Sequence, residues 1–212
     1  MSATGFSAAA VEGGFADPVL DAQAAFHALM QAMARPGTVQ PLAVEAGPPQ
    51  PPAPMTPGLA AVALTLADPD TPVWLSPALA TPAIKAWLAF HCGCPVVDDL
   101  GTAAFVFADT AEAVPDMAAL SAGTQEYPDR GATLVLAVAA LEGGPALTLE
   151  GPGIDGSTAL APCGLAEDFV AQRAANRALF PRGADLILVS GMQAVALPRS
   201  TVVTRRELQE AV

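Results

Sequence analysis

The chain has 212 residues and 21.3 kDa, is 52% hydrophobic and 14% charged, and has a mean hydropathy of +0.43. That composition excludes an intrinsically disordered chain and suits one domain with a sizeable core. Nine Lys plus Arg against 21 Asp plus Glu give a formal charge of -12 and a pI near 4.3, which repels phosphate backbones and anionic head groups, so neither nucleic acid nor a membrane is expected as partner.

The most apolar stretch, around Ala132 to Leu141, is far short of the roughly 18 to 20 residues that span a bilayer. The first twenty residues hold no Lys or Arg and run into Glu12 and Asp17, which does not support a secretory signal. Cys92, Cys94 and Cys163 make no disulfide scaffold, and a cytoplasmic protein is expected.

Asp17-Pro18 reads as an N-cap followed by proline at the first helical position. Val19, Ala22, Phe26, Leu29, Met30 and Met33 follow at steps of three and four, which predicts an amphipathic helix ending by Arg35, before Pro36-Gly37. From 36 to 58 the chain is dense in proline, an arm that reads as an ordered surface crossover or loop, with partner docking as the alternative. Leu59 to Leu66 is a short apolar helix candidate and Val73-Trp74-Leu75 a strand. Thr81 and Pro82 then open a helix with Ile84, Trp87, Leu88 and His91 on one face.

Strand candidates follow at Pro95 to Val97, Ala103 to Ala108, Thr133 to Val138, Ala146 to Leu149, Asp185 to Ser190 and Ala194 to Leu197. Most are apolar throughout, as strands buried on both faces are. Helices are suggested near Pro115 to Leu120 and from Leu165 to Leu179. The pattern is mixed α/β, with helices covering a central sheet.

Gly151-Pro152-Gly153-Ile154-Asp155-Gly156 is a literal G-x-G-x-x-G, but Pro152 removes a backbone donor and the next helix begins only near Leu165, so a tight turn is the better reading. His91-Cys92-Gly93-Cys94 offers soft donors without a partner cluster, and reads as packing rather than metal. Lys85 is the only lysine, so Schiff-base chemistry would have to use it, yet it falls off the apolar stripe of its helix. No nucleophile and base constellation emerges. Arg35, Arg182 and Arg199 sit beside Pro or Gly at element edges. Arg182 and Arg199 are the candidate ligand-binding residues, able to grip a phosphate or phosphonate, with a structural salt bridge to an acid as the competing reading.

Several segments together resemble a known family, the H subunit (PhnH) of the carbon-phosphorus lyase core complex. They are Asp21-Ala22-Gln23 with Phe26 and Met33-Ala34-Arg35-Pro36-Gly37; Leu64 to Asp68 with Asp70 to Leu75; Phe90-His91 with Gly93-Cys94-Pro95; Gly123-Thr124 with Pro128; Gly151 to Ile154; Phe180-Pro181 with Gly183 and Asp185 to Leu188; and Pro198-Arg199-Ser200-Thr201. Cys92 and Ser200 stand where the family more often has threonine, and the arm is richer in proline than is usual there.

The resemblance implies a single domain over 1–212 folded as a three-layer αβα sandwich with a mixed central sheet, similar to the large domain of PLP-dependent transferases but without a cofactor. It also implies a homodimer that joins G, I and J subunits in an assembly making ribose triphosphate phosphonates with ATP, with no catalytic residue assigned to this chain. The competing expectation is a free-standing transferase-fold enzyme that binds a phosphorylated small molecule.

Overall fold

A computed structural model describes residues 11–206 other than 43, 46, 114 and 115. Helix α1 (Pro18–Ala34) starts as its sequence dictates, with the Asp17 carboxylate accepting from the amides of Val19 and Leu20. Its buried side differs from the expected one. Val19, Phe26 and Met30 are 66%, 50% and 51% exposed, whereas Asp21, Ala25, Ala28, Leu29 and Ala32 are buried. Alanine side chains bring the helix axis close to the sheet, and the Asp21 carboxylate is satisfied there by the amides of Asp17 and Glu45 at 3.1 and 3.3 Å, so packing distance outweighs side-chain size.

Beyond α1 the proline-dense stretch contributes the short strand β1 (Gln40–Pro41) and lays Leu42 and Met55 into the core. Helix α2 (Pro57–Leu66) buries six consecutive residues, Gly58 to Ala63. A Cβ on Gly58 would stand 2.2 Å from the Gly191 carbonyl oxygen, so only glycine permits that approach. Strand β2 (Val73–Leu75) leads to α3 (Pro82–His91), whose first turn is closed by the Thr81 hydroxyl accepting from the Ile84 amide. Ile84, Trp87 and Leu88 are fully buried, as their spacing requires.

The main sheet adds β3 (Phe105–Ala108), β4 (Thr133–Ala137), β7 (Asp185–Ser190) and β8 (Gln193–Leu197). Its order is β1-β8-β7-β4-β3-β2, parallel from β7 through β2 and antiparallel at β8 and β1. This is an α/β fold with a mixed central sheet. The core on one face gathers residues of α1, α2 and α3, and that on the other holds Phe169 of α4 (Phe169–Arg177).

A second, antiparallel sheet is made of β5 (Leu147–Glu150), β6 (Thr158–Leu160) and β9 (Val202–Arg205). Strands β1, β6 and β9 were not expected from the sequence. Pro95 to Val97, expected as a strand, makes a single bridge from Val96 to Val73, because proline has no amide to extend a ladder. Near Pro115 to Leu120 the described part is a 3-10 turn at Met117–Ala119, and Pro115 lies outside the described residues. The helix expected over Leu165 to Leu179 begins only at Phe169 and ends at Arg177.

Candidate functional site

At the amino ends of β4 and β7, three turns meet: Tyr127 to Gly131, Phe180 to Gly183, and Pro198 to Thr201. A Cβ on Gly131 would stand 2.3 Å from the Gly183 carbonyl oxygen and 2.9 Å from Nη1 of Arg199. Gly183 has φ +124° and lies against Asn176, which holds the adjacent Ala184 from both sides: its Oδ1 accepts from the Ala184 amide at 2.8 Å and its Nδ2 donates to the Ala184 carbonyl at 2.9 Å. The turns therefore close on one another without room for side chains.

Arg199 lies at the centre of this junction. Its Nε donates to Oδ1 of Asp185 at 3.1 Å and its Nη2 to Oδ2 at 2.6 Å, while its Nη1 donates to the Pro128 carbonyl and its own amide to Asp185 at 2.7 Å. The two side chains are 13% and 20% exposed. A guanidinium held by both carboxylate oxygens and a carbonyl fixes the Pro198 to Thr201 turn to β7. Arg182 is half-buried, and among the described residues its side chain has no hydrogen bond or ion pair.

Two polar residues that sequence reasoning did not single out lie beneath. Arg173 is 1% exposed and donates to the carbonyls of Ala184, Leu197 and Pro198, the last at 2.6 Å. Burial brings its guanidinium down to about 10, against the pull of Asp185. Its Nε and the hydroxyl of Thr201 are buried without a partner among the described residues. The signal was present in the helical pattern, since Phe169, Arg173 and Asn176 fall at i, i+4 and i+7 on one face, where a charged residue must be fixing backbone. Arg177 and Arg130 complete the group, the first donating from Nε to the Ser200 carbonyl at 3.3 Å and the second lying 4.3 Å from the Tyr127 ring centroid.

Ligands in open α/β sheets sit outside the carboxyl ends of the parallel strands, and this cluster is at their amino ends. At the carboxyl edge the buried Ser76 hydroxyl donates to Asp109 at 2.6 Å, joining the ends of β2 and β3. Cavities of about 190 and 210 Å³ flank Phe169 on the α4 side, one reaching Leu165 and Arg205 and the other Met117 and Gln172. An open cleft of about 570 Å³ runs beside α1 past Asp21, His27 and Glu45.

The other motifs resolve into packing. Gly151, Gly153 and Gly156 take positive φ in the turn from β5 to β6, and a Cβ on Gly153 would stand 2.2 Å from the Ala34 carbonyl oxygen. Among the described residues no three His, Cys, Asp or Glu side chains gather as a metal site would need. The Cys92 thiol is pushed up by its hydrogen bond with Cys94 and by burial, and donates to the Ala63 carbonyl at 3.6 Å. The His91 ring lies against Gly14 and hydrogen-bonds the Glu12 carbonyl at 3.4 Å. Lys85 is half-buried on α3.

The family model described as "Bacterial phosphonate metabolism protein (PhnH)" matches residues 13–204. The chain belongs to the PhnH family. It is 49% identical over 193 residues to the Alpha-D-ribose 1-methylphosphonate 5-triphosphate synthase subunit PhnH of Rhizobium meliloti (strain 1021), a match that covers 91% of this chain and 95% of that protein. It is also 42% identical over 102 residues to HtxG of Stutzerimonas stutzeri, named as a C-P lyase subunit protein, covering 47% of this chain and 50% of the relative.

Several of the PhnH-like segments meet one another in space. Those around Pro128, Phe180-Pro181-Gly183, Asp185 and Arg199 form the arginine junction. Gly153 lies close against Ala34 and Pro36, where a Cβ would clash, so the Gly151 to Ile154 segment meets the one that ends α1. In this fold the segments that meet are joints between elements.

Proposed function

We propose that the chain is a subunit of a complex that forms ribose triphosphate phosphonates from alkylphosphonates and ATP in the carbon-phosphorus lyase route of phosphonate catabolism. The observation that carries this is the 49% identity across 95% of a relative named as a subunit of such a synthase. In this reading it is a cytoplasmic homodimer that joins G, I and J subunits, its helices and sheet stack as a three-layer αβα sandwich like the large domain of PLP-dependent transferases, and no residue of the chain is assigned chemistry.

The amino-edge position of the arginine junction supports this reading over a free-standing enzyme holding a phosphorylated ligand on Arg182 and Arg199, because Arg199 is already engaged by Asp185 and Pro128. The junction serves assembly, with Arg199 bracing the turns and Arg182 left free to meet something outside.

The test is growth of native cells lacking the gene. With methylphosphonate as sole phosphorus source they should fail to grow, and with phosphate they should grow normally. Unchanged growth on methylphosphonate would overturn the proposal.

A further inference from the structure

Five of the nine Lys plus Arg residues of this acidic chain, Arg130, Arg173, Arg177, Arg182 and Arg199, collect around the three-turn junction. Three carboxylates lie on or beside the same turns and strand end, Glu126, Asp129 and Asp185. Asp185 is taken up by Arg199, and Arg173 is buried beneath. Arg130 and Arg177 are exposed and Arg182 is half-buried. With Arg199 neutralised by Asp185, three arginines stand there against two exposed carboxylates, a small positive excess on a chain whose formal charge is -12.

The same turns carry two of the most exposed aromatic residues, Phe180 at 61% and Tyr127 at 51%, with Leu179 beside Phe180 at 37%. Isolated exposed apolar residues need no explanation, but aromatic and arginine side chains standing together have the composition of interface hot spots. Backbone contacts tie the turns that carry them together: Gly183 donates its amide to the Ala122 carbonyl at 2.9 Å, and Arg130 stacks on Tyr127. Phe and Tyr rings have few rotatable bonds, so a partner that covers them orders little side-chain freedom.

We infer that the ridge formed by Tyr127, Phe180, Arg130, Arg177 and Arg182 is a docking surface for an acidic segment of a different protein subunit. Charge complementarity selects that occupant. A second copy meeting this face across a two-fold axis would set arginines against arginines, because an isologous contact pairs a patch with itself. Small anions are held in concave sites, whereas the aromatic residues here are exposed. The inference deepens the proposed function and rests on it for the partner being a subunit of the same assembly.

The experiment uses the tagged full chain co-expressed with the other subunits of its assembly, with a photo-crosslinking phenylalanine analogue at 180 or at 127. Crosslinks should map to a peptide of another subunit with net negative charge. Crosslinks to a second copy of this chain, or to a neutral or basic peptide, would overturn the inference.

In parallel, Arg130→Glu with Arg182→Glu should lower recovery of the other subunits at least tenfold, while Lys85→Glu, a charge reversal elsewhere, leaves it unchanged. If the double variant has a reduced melting temperature, Phe180→Ala replaces it, since an exposed ring carries little of the fold, and should lower recovery several-fold. Wild type that recovers no other subunit would remove the proposed function and this occupant with it. Wild type that recovers them as well as the folded variants do would remove the docking surface alone.

Discussion

Asp185 gathers more charge than any other carboxylate described in the fold, and replacing it tests whether the junction is held electrostatically. Asp185→Asn keeps the shape but leaves Arg199, 13% exposed, without its counter-ion, and removes the carboxylate that opposes the burial of Arg173. Removing one partner of a fully buried pair costs about 3 to 5 kcal/mol, and partial exposure brings the expected loss to about 3 kcal/mol. For a chain of this size that is a fall in melting temperature of about 6 to 12 °C.

Arg199→Met should cost less, about 1 to 2 kcal/mol, because the carboxylate keeps the residue-199 amide and the field of Arg173. The double variant should lose little more than Asp185→Asn alone, leaving a coupling of about 1 to 2 kcal/mol. Urea unfolding at pH 7 of the four proteins measures this. Additive losses, or an Asp185→Asn loss below about 1 kcal/mol, would refute the view that the ion pair braces the turns.

Trp87→Ala removes a ring with no exposed surface whose Nε1 donates to the Glu12 carbonyl at 3.0 Å; it should cost about 3 to 5 kcal/mol in urea unfolding. Trp87→Phe, which mainly loses the hydrogen bond, should cost clearly less. Burial holds His91 below its ordinary value of 6.5, against its bond to the Glu12 carbonyl, so the folded chain binds this proton more weakly than the unfolded one. Its contribution is fully present above pH 6.5 and is lost as the pH falls below that value, and melting curves from pH 7.5 to 5.0 should show a slope that His91→Gln reduces. Gly131→Ala would drive a Cβ to 2.3 Å from the Gly183 carbonyl oxygen, so a melting-temperature loss of several degrees is expected, and none would mean the turns are not in contact.

Local chemistry made much of this fold legible. Asp17-Pro18 and Thr81-Pro82 place α1 and α3 to the residue, because a cap and a prolyl ring act within one turn of chain. Asp185 to Ser190 was readable because a strand buried on both faces is apolar throughout. The buried side of α1 was not readable, since alanine carries little hydrophobic contrast and the large residues Val19, Phe26 and Met30 turn outward.

Strands β6 and β9 exist through pairing with β5, about 10 and 55 residues away in sequence, and short runs do not encode such partners. At the candidate site Arg182 and Arg199 could be picked out by their proline and glycine neighbours. That Arg199 is engaged depends on Asp185 and Pro128, contacts made only by folding.

Helix α2 has a consequence for how this family can diverge. Its buried run from Gly58 to Ala63 includes three alanines; the helix packs on α1 and on β4 and β7, meets the turn after β7 through Gly58, and takes the Cys92 thiol on the Ala63 carbonyl. It works as a spacer whose thickness is set by methyl groups. Enlarging one of these buried residues where it faces α1 would push α1 sideways, because a close-packed interior passes displacement on rather than absorbing it. The outward row of Val19, Phe26 and Met30 would then be carried to a new angle, so a relative can reshape the outer contour of α1 by substitutions wholly inside the protein.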